Sequence, residues 1–224
     1  MSPDWNQLFR DPTKIIKKPD PLASSFIDAL PQGAFVYDLG CGAGRHLLSL
    51  TKAGLRVIGS DVARVGLHSS RTWLMQENLA ADLFLADMAW GPFRENLFDG
   101  VLAMNVINHA KVAEAQQAFD DSFRMLKPDG AFFFKIIGRE DARYGEGDQI
   151  EPHTFVPRQG IEAGVPHHFY TEEELRQMLL NFNRVEIDKV TRPYDDKDPV
   201  FGSDPRLQKL DNVFYQHWAV KAWK

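Results

Sequence analysis

Residues 35–50 read FVYDLGCGAGRHLLSL, and the elements on either side are best interpreted outward from this segment. Phe35, Val36 and Tyr37 are β-branched or aromatic without polar alternation, which is typical of a strand buried on both faces of a parallel sheet. From Arg45 onward the apolar residues have the spacing of a helix. Between them lies a turn with a glycine at every second position. Glycine permits positive φ and lets a ligand approach the main chain, so the turn predicts a small bound ligand.

The glycine spacing bears on the kind of ligand. The dinucleotide-binding pattern GxGxxG requires its third glycine at position 45, and this residue is Arg45. The spacing therefore argues against an NAD-dependent oxidoreductase, which stays an alternative. The turn opens with Asp38, and an anion-binding loop gains nothing from a carboxylate there. A carboxylate favours a ligand with a positive charge or hydrogen-bond donors, such as an amine or a sulfonium.

The composition is that of an ordinary globular protein. The chain has 224 residues, 44% hydrophobic and 25% charged, which is enough for one α/β domain with a full core. No apolar run approaches the ~20 residues of a membrane span, and the first residues lack signal-peptide character, so we expect a cytoplasmic protein without a membrane partner. Cys41 is the only cysteine, which excludes a disulfide framework and a thiolate metal cluster.

The charge of the chain argues against a nucleic-acid partner. The net charge is −5, whereas affinity for a phosphate backbone comes from clustered lysine and arginine. One basic cluster, Lys14, Lys17 and Lys18, is short and fits a solvated helix face. A tRNA or rRNA acceptor is therefore disfavoured, and the sequence does not indicate an oligomeric state.

Later predicted strands also end in polar residues. The strand at residues 55–60 ends at Asp61, where a carboxylate is placed to accept from both ribose hydroxyls of an adenosyl group; a helix N-cap is the alternative. A short strand at residues 82–86 ends in Asp87 and Met88. The apolar strand at residues 98–104 is followed by Asn105 and His109. Carboxyl ends of parallel strands form the ligand crevice, so we expect these side chains to point at a ligand.

These motifs resemble those of the class I S-adenosylmethionine-dependent methyltransferases, of the type that acts on small molecules. The turn D-x-G-x-G-x-G, the acidic residues that end the next two strands, and Leu126-Lys127-Pro128-Asp129-Gly130 before a fifth strand carry the resemblance. It implies an α/β fold with a Rossmann-like, doubly wound seven-stranded sheet, mostly parallel with the last strand antiparallel. It also implies S-adenosyl-L-methionine as the cofactor.

The resemblance also suggests roles for individual residues. Asp87 would accept from the adenine amino group and the backbone amide of Met88 would meet the adenine ring; a polar loop residue is the alternative for Asp87. The full set of cofactor-binding candidates is Asp38, Gly40, Cys41, Gly42, Gly44, Asp61, Val62, Asp87, Met88 and Asn105.

The sequence predicts a single domain over residues 1–224. Residues 1–33 are predicted as an N-terminal helical flap, and their apolar groups Trp5, Leu8, Phe9, Ile15 and Ile16 suit either plain packing or closure over a cofactor. Residues 34–137 form the cofactor-binding half. Residues 138–170 lack periodicity and are predicted as a lid loop with little regular structure. Residues 171–224 supply a C-terminal helix and strands.

A general base is needed only if the methyl acceptor arrives protonated. His109 is the best-placed candidate, because it follows the fourth strand and imidazole titrates near neutrality. His167, His168 and Tyr144 of the lid complete the catalytic candidates, and a structural role is the alternative for each histidine. Imidazole and carboxylate also suit divalent metals, which makes Glu151, His153, His167 and His168 candidate ligands. Their spacing matches no short metal motif, so no metal site is predicted.

The sequence thus predicts a methyltransferase that moves a methyl group from S-adenosylmethionine to an unidentified small molecule by in-line displacement. An S-adenosylmethionine-binding regulatory or scaffold protein without turnover is an alternative, because most of the candidates concern cofactor binding alone.

Overall fold

A computed structural model describes residues 5–160, 162–193, 195 and 214–224. Parts of the predicted flap and of the C-terminal region, residues 1–4 and 196–213, lie outside the described residues. The strands are β1 (Phe35–Leu39), β2 (Arg56–Asp61), β3 (Asp82–Leu85), β4 (Phe98–Met104), β5 (Leu126–Ile137), β6 (Asp148–Glu151), β7 (Thr154–Val156), β8 (His167–His168), β9 (Arg184–Pro193) and β10 (Phe214–Trp223).

The helices are short and lie on both faces of the sheet. They are α1 (Asn6–Arg10), α2 (Pro21–Asp28), α3 (Arg45–Lys52), α4 (Arg64–Gln76), α5 (Val112–Met125) and α6 (Glu172–Met178), with one turn of 3₁₀-helix at Pro12–Lys14. Within the described ranges, none of these helices combines the length and the apolar character that crossing a membrane requires.

The main sheet has the strand order β3-β2-β1-β4-β5-β10-β9. Strands β1 to β5 run parallel, and β10 is antiparallel to both of its neighbours. The predicted Rossmann-like, doubly wound seven-stranded sheet with an antiparallel last strand is confirmed. The chain reverses its direction of winding between β1 and β4, which places a crevice at the carboxyl ends of these strands.

Strand β1 is buried on both faces, as its unbroken apolar sequence predicts. Val36 packs into a core with α2 and α3, whereas Tyr37 packs into a second core with α5 and α6. The hydroxyl group of Tyr37 lies 2.6 Å from Oγ of Ser60 on β2, so the only polar atom of this buried side chain is paired. The glycine turn therefore follows a strand that is fixed from both sides.

Two helix starts follow the sequence signals. Asp20 Oδ1 accepts from the backbone amide of Leu22, with Pro21 as the first residue of α2. Thr171 Oγ1 accepts from the amide of Glu174 at the start of α6. Helix α4 begins at Arg64 without a side-chain cap.

The segment predicted to have little regular structure contains three short strands. Strands β6, β7 and β8 form a separate antiparallel sheet, so that prediction is wrong. The strands have two to four residues, too few for alternation to be visible in the sequence. Gly145 and Gly147 enter this sheet with positive φ, and a Cβ on Gly147 would lie 2.0 Å from the carbonyl oxygen of Val156.

The segment between β5 and β6 is held to β10 through Asp141, which is almost fully buried. Its carboxylate accepts from Nε of Arg143 at 2.8 Å and from the backbone amide of Gln216 on β10 at 2.9 Å. The same carboxylate accepts from the backbone amide of Arg143. Asp141 thus fixes Arg143 and the chain that leaves β5.

We expect Asp141→Ala to lower the free energy of unfolding by about 3 to 5 kcal/mol, because it leaves the buried guanidinium of Arg143 without its counter-charge. The matched control is Glu140→Ala, whose ion pair with Lys189 is exposed and contributes about 0 to 1 kcal/mol. Urea denaturation followed by circular dichroism measures both values. Equal destabilisation of the two variants would contradict the role assigned to Asp141.

Candidate functional site

A cavity of about 280 Å³ lies at the carboxyl ends of the parallel strands. Its walls come from the glycine turn, from the ends of β2 and β3, from the segment after β4 and from the N-terminal segment. Nine predicted site residues line it: Gly40, Cys41, Gly42, Asp61, Val62, Asp87, Met88, Asn105 and His109. The structure therefore brings most of the candidates to one place.

The glycine turn adopts the backbone that its sequence predicts. Gly40, Gly42 and Gly44 have φ of 70°, 53° and 93°. A Cβ on Gly40 would lie 2.3 Å from the side chain of Val106, and one on Gly44 would lie 2.8 Å from Oγ of Ser70. Both the positive φ and the close approach of neighbouring elements require glycine at these positions.

Asp61 holds two segments of backbone at once. Its Oδ2 accepts from the amide of Gly42 at 2.8 Å, and its Oδ1 accepts from the amide of Ala63 at 2.8 Å, just before α4. Burial raises the pKa of this carboxyl group, and the amides of Ala63 and Gly42 partly offset the effect. Asp61 thus supports the helix start and also lines the cavity.

Asp38 is the buried carboxyl group that opens the turn. Its side chain is 1% exposed, and neither oxygen has a hydrogen-bonding partner in the described part of the chain. Burial raises its pKa to about 7, and the positive charge of Arg45 only partly opposes this shift. An unpaired buried carboxyl group costs free energy in the folded chain, so it is suited to a ligand that brings a positive charge or donors.

The remaining cofactor candidates end β3 and β4. Asp87 is exposed, and its Oδ1 accepts from the amide of Ala89 at 2.9 Å. Asn105 has a φ of 58°, and its backbone amide donates to the carbonyl of Lys135 on β5. Its side-chain oxygen is buried without a partner among the residues that the structure describes. This carbonyl oxygen is therefore available to accept from a ligand.

The N-terminal segment covers the cavity. Its apolar side chains Trp5, Leu8, Phe9, Ile15 and Ile16 all line it. The ring of Phe9 lies against the glycine turn, 3.0 Å from where a Cβ on Gly42 would be. Asn6 Oδ1 accepts from the amide of Val65 and so ties the segment to α4. The segment both packs on the domain and closes over the site.

His109 lies at the cavity wall beside Glu162 and His167, which come from the segment that contains the second sheet. Its Nε2 is 3.5 Å from Oε1 of Glu162, and Nε2 of His167 is 3.0 Å from Oε2 of Glu162. The backbone amide of His168 donates to the carbonyl of Asn108 at 2.9 Å, which places His167 beside His109. The two imidazole rings pack edge to face, 4.8 Å apart.

Burial and the neighbouring groups both shift the pKa values of this cluster. Burial lowers the pKa of His109, while its hydrogen bond to Glu162 raises it and the charge of His167 lowers it further. Burial raises the pKa of Glu162, but the charge of His167 and the hydrogen bonds from both histidines hold it well below its usual range. Glu162 is therefore a buried carboxylate, and His109 is a neutral imidazole beside it.

Three catalytic candidates, His167, His168 and Tyr144, lie outside the cavity lining. His168 is 1% exposed, with Nδ1 at 2.7 Å from Oγ1 of Thr154 and Nε2 at 2.8 Å from Oε1 of Glu174. Both of its nitrogens are thus occupied within the fold. Tyr144 is exposed, and its hydroxyl group pairs with Nδ1 of His153.

The cavity also contains residues that were not predicted as site residues, namely Asn108, Arg143, Glu162 and His217. Glu162 lies in a segment without periodicity, and His217 lies in the middle of β10, so no local pattern distinguishes them. Burial and the nearby charge of Arg143 lower the pKa of His217 to about 3, so this imidazole is neutral.

Comparison with known proteins agrees with this architecture. A family model described as a methyltransferase domain matches residues 36–130. The tRNA N(3)-methylcytidine methyltransferase Mettl2 of Drosophila melanogaster is 28% identical over 186 residues, which cover 78% of this chain and 56% of the relative. The ubiquinone biosynthesis O-methyltransferase of Bartonella bacilliformis is 26% identical over 181 residues, covering 80% of this chain and 70% of the relative.

A solved structure of an S-adenosylmethionine-dependent methyltransferase from Methanosarcina mazei has a TM-score of 0.66 at 21% identity, and the match covers 92% of this chain and 98% of that one. This chain spans only 56% of the length of its Drosophila relative. The family match runs through the glycine turn and gives no support to an NAD-dependent oxidoreductase. Residues 36–130 thus match a methyltransferase domain, and over 92% of its length the chain shares the fold of a solved S-adenosylmethionine-dependent methyltransferase.

Proposed function

We propose that this chain transfers a methyl group from S-adenosylmethionine to a small-molecule acceptor. One observation carries the proposal: a single covered cavity contains both the glycine turn with Asp61 and the imidazole of His109. A donor and an acceptor bound in that cavity would lie next to each other. Holding the two reacting groups together is the main requirement of an in-line displacement.

The residues of the cavity wall, together with Asp38 and Gly44 just behind the lining, fit the cofactor in chemical terms. The unpaired carboxyl group of Asp38 suits the ammonium group of the methionine part, and Asp61 keeps oxygen lone pairs for the ribose hydroxyls. Asp87 and the amide of Met88 would hold the adenine ring. The other candidates, Gly40, Cys41, Gly42, Gly44, Val62 and Asn105, shape the turn and the wall around the ligand. When bound, the cofactor supplies a methyl group that its sulfonium already activates.

The protein's own contribution is positioning, exclusion of water and removal of a proton. The apolar side chains of the N-terminal segment, among them Trp5 and Phe9, exclude water from the cavity. The ring of Trp5 also packs on His109, 4.8 Å between ring centres, and so limits where an acceptor can lie. With Nε2 of His109 facing Glu162, its other ring nitrogen Nδ1 accepts the proton of a hydroxyl or thiol acceptor, and Glu162 stabilises the imidazolium that forms.

Two features favour a small acceptor over tRNA. The site is a covered cavity of about 280 Å³, and the chain has a net charge of −5. A relative named for ubiquinone biosynthesis agrees with a small acceptor, whereas the Drosophila relative is named for tRNA N(3)-methylcytidine and makes tRNA the second candidate.

The test measures transfer of the labelled methyl group of S-adenosylmethionine to panels of phenols, thiols, amines and carboxylates, and in parallel to deproteinised total tRNA. We expect label in at least one small-molecule panel and none in tRNA. Label in tRNA alone would replace the proposed acceptor class. Cofactor binding without transfer to any panel or to tRNA would favour a regulatory or scaffold protein.

The raised pKa of Asp38 predicts a pH-dependent cofactor affinity. Binding of a cationic ammonium group requires the ionised carboxylate, so below about pH 7 each unit of pH should weaken binding about tenfold. Affinity should level off as the pH rises through 7. Calorimetric titration of S-adenosylmethionine between about pH 5 and pH 7.5 measures the slope, and Asp38→Asn should remove it. A slope that persists in the variant would assign it to another group.

We expect His109→Ala to lower turnover by about 10²- to 10⁴-fold with an acceptor that must lose a proton, because a positioned base contributes an effect of this size. Affinity for S-adenosylmethionine should change little. The control is His68→Ala, which removes an exposed histidine of α4 and should leave both quantities unchanged. Equal turnover in wild type and His109→Ala would eliminate His109 as the base.

A further inference from the structure

Three side chains meet at the cavity in an arrangement that a proton-transfer role does not fully explain. His109 and Glu162 line the cavity, and His167 lies directly behind them with 4% of its side chain exposed. One ligand atom from each residue can be chosen so that all three lie within 4.8 Å of one another. Two imidazoles and a carboxylate are a common ligand set for divalent transition metals.

The hydrogen bonds of His167 raise a specific problem of charge. Its Nδ1 lies 2.9 Å from the carbonyl oxygen of Val165, which can only accept, so Nδ1 carries a proton. Nε2 of His167, 3.0 Å from Oε2 of Glu162, donates to this oxygen only when the ring carries a second proton; in the neutral ring it presents a lone pair. Two acceptors at this distance repel each other unless a proton or a cation lies between them.

The distances suit a metal ion in that place. Zinc binds histidine nitrogen at about 2.0–2.1 Å and carboxylate oxygen at about 2.0–2.2 Å, so neighbouring ligand atoms in a tetrahedral site lie about 3.3 Å apart. From the carboxylate of Glu162 the measured separations are 3.0 Å between Oε2 and Nε2 of His167 and 3.5 Å between Oε1 and Nε2 of His109, so either oxygen can serve as the ligand atom. The contact from Nδ1 of His167 to a backbone carbonyl is also typical of metal-bound histidine, because it fixes the tautomer that leaves Nε2 free.

The neighbouring positive charge is already compensated. Arg143 lines the same cavity, and its guanidinium group is paired with the buried carboxylate of Asp141. A cation between the three side chains therefore meets the negative charge of Glu162 without a free guanidinium group beside it.

We propose that His109, Glu162 and His167 bind one divalent transition-metal ion, of the zinc class, with an open coordination position toward the cavity. Three protein ligands and one open position are typical of catalytic rather than structural zinc sites. The sequence does not predict this site. Of its three ligands, only His167 is among the four candidate metal ligands that the sequence offers.

The next step rests on the proposed methyl transfer. The open coordination position then determines the class of acceptor, because the acceptor must bind the metal there. A hydroxyl or thiol acceptor coordinates through its oxygen or sulfur and releases its proton to water. The coordinated atom then forms a bond to the methyl carbon, while the carbon–sulfur bond of the cofactor breaks and its electron pair stays on sulfur as S-adenosylhomocysteine. In the metal-bound chain the ion replaces His109 in activating the acceptor.

The test titrates the chelator-stripped full chain with Zn²⁺ alone, by competition with a chromophoric chelator. We expect one ion per chain, and visible absorption of the Co²⁺-loaded protein of the intensity typical of four-coordination. His167→Ala and Glu162→Gln should each weaken Zn²⁺ binding by more than about 100-fold, because each removes a direct ligand. The second variant keeps the shape of the side chain, and thermal unfolding curves confirm that both are folded.

The matched control is His153→Asn, in the same segment but outside the cluster. His153 has a φ of 61°, which asparagine tolerates, so this variant removes an imidazole without backbone strain. It should bind Zn²⁺ as wild type does. Absence of saturable binding, or equal binding by wild type and both ligand variants, overturns the metal site. Affinity for S-adenosylmethionine, measured on the same samples, tests the proposed function separately, since none of the substituted residues is a cofactor candidate.

Discussion

The carboxylate of Asp61 is the contact on which the site depends. One of its oxygens holds the amide of Gly42 in the glycine turn, and the other holds the amide of Ala63 before α4. Two separate loops are thereby fixed to the end of β2. Without this clamp, the positive-φ turn after β1 would lose one of its connections to β2 and keep the hydrogen bond from the amide of Cys41 to the carbonyl of Ser60. The carboxylate is partly buried at the cavity wall, where it supports the fold and lines the cavity at the same time.

The strand order of the sheet places the other walls of the cavity around Asp61. The strand order brings the carboxyl ends of β1 and β4 together, so the glycine turn faces Asn105 and His109. The chain that leaves β5 then folds into the second sheet, and its contact with Asn108 carries His167 to His109. The N-terminal segment covers the result. Each layer depends on the one before it, and the wall around His109 is formed by segments that are distant in sequence.

This order explains what the sequence could predict. The turn, Asp61 and the ends of β3 and β4 carry local signals, because glycine spacing and apolar runs reflect the backbone at the same residues. Glu162 carries none, since it lies with His167 in a stretch without periodicity, and only the folded chain brings His109 from a distant segment to both of them. The three short strands of the second sheet were missed for a related reason, because their pairing rather than their alternation defines them.

The proposed methyl transfer requires that this cavity bind S-adenosylmethionine. The most direct measurement is calorimetric titration of the purified chain with S-adenosylmethionine, S-adenosylhomocysteine and NAD. Saturable binding of the first two, one molecule per chain, with no heat from NAD, is the predicted result. Binding of NAD alone, or of none of the three, would contradict the interpretation of the glycine turn and with it the proposed function.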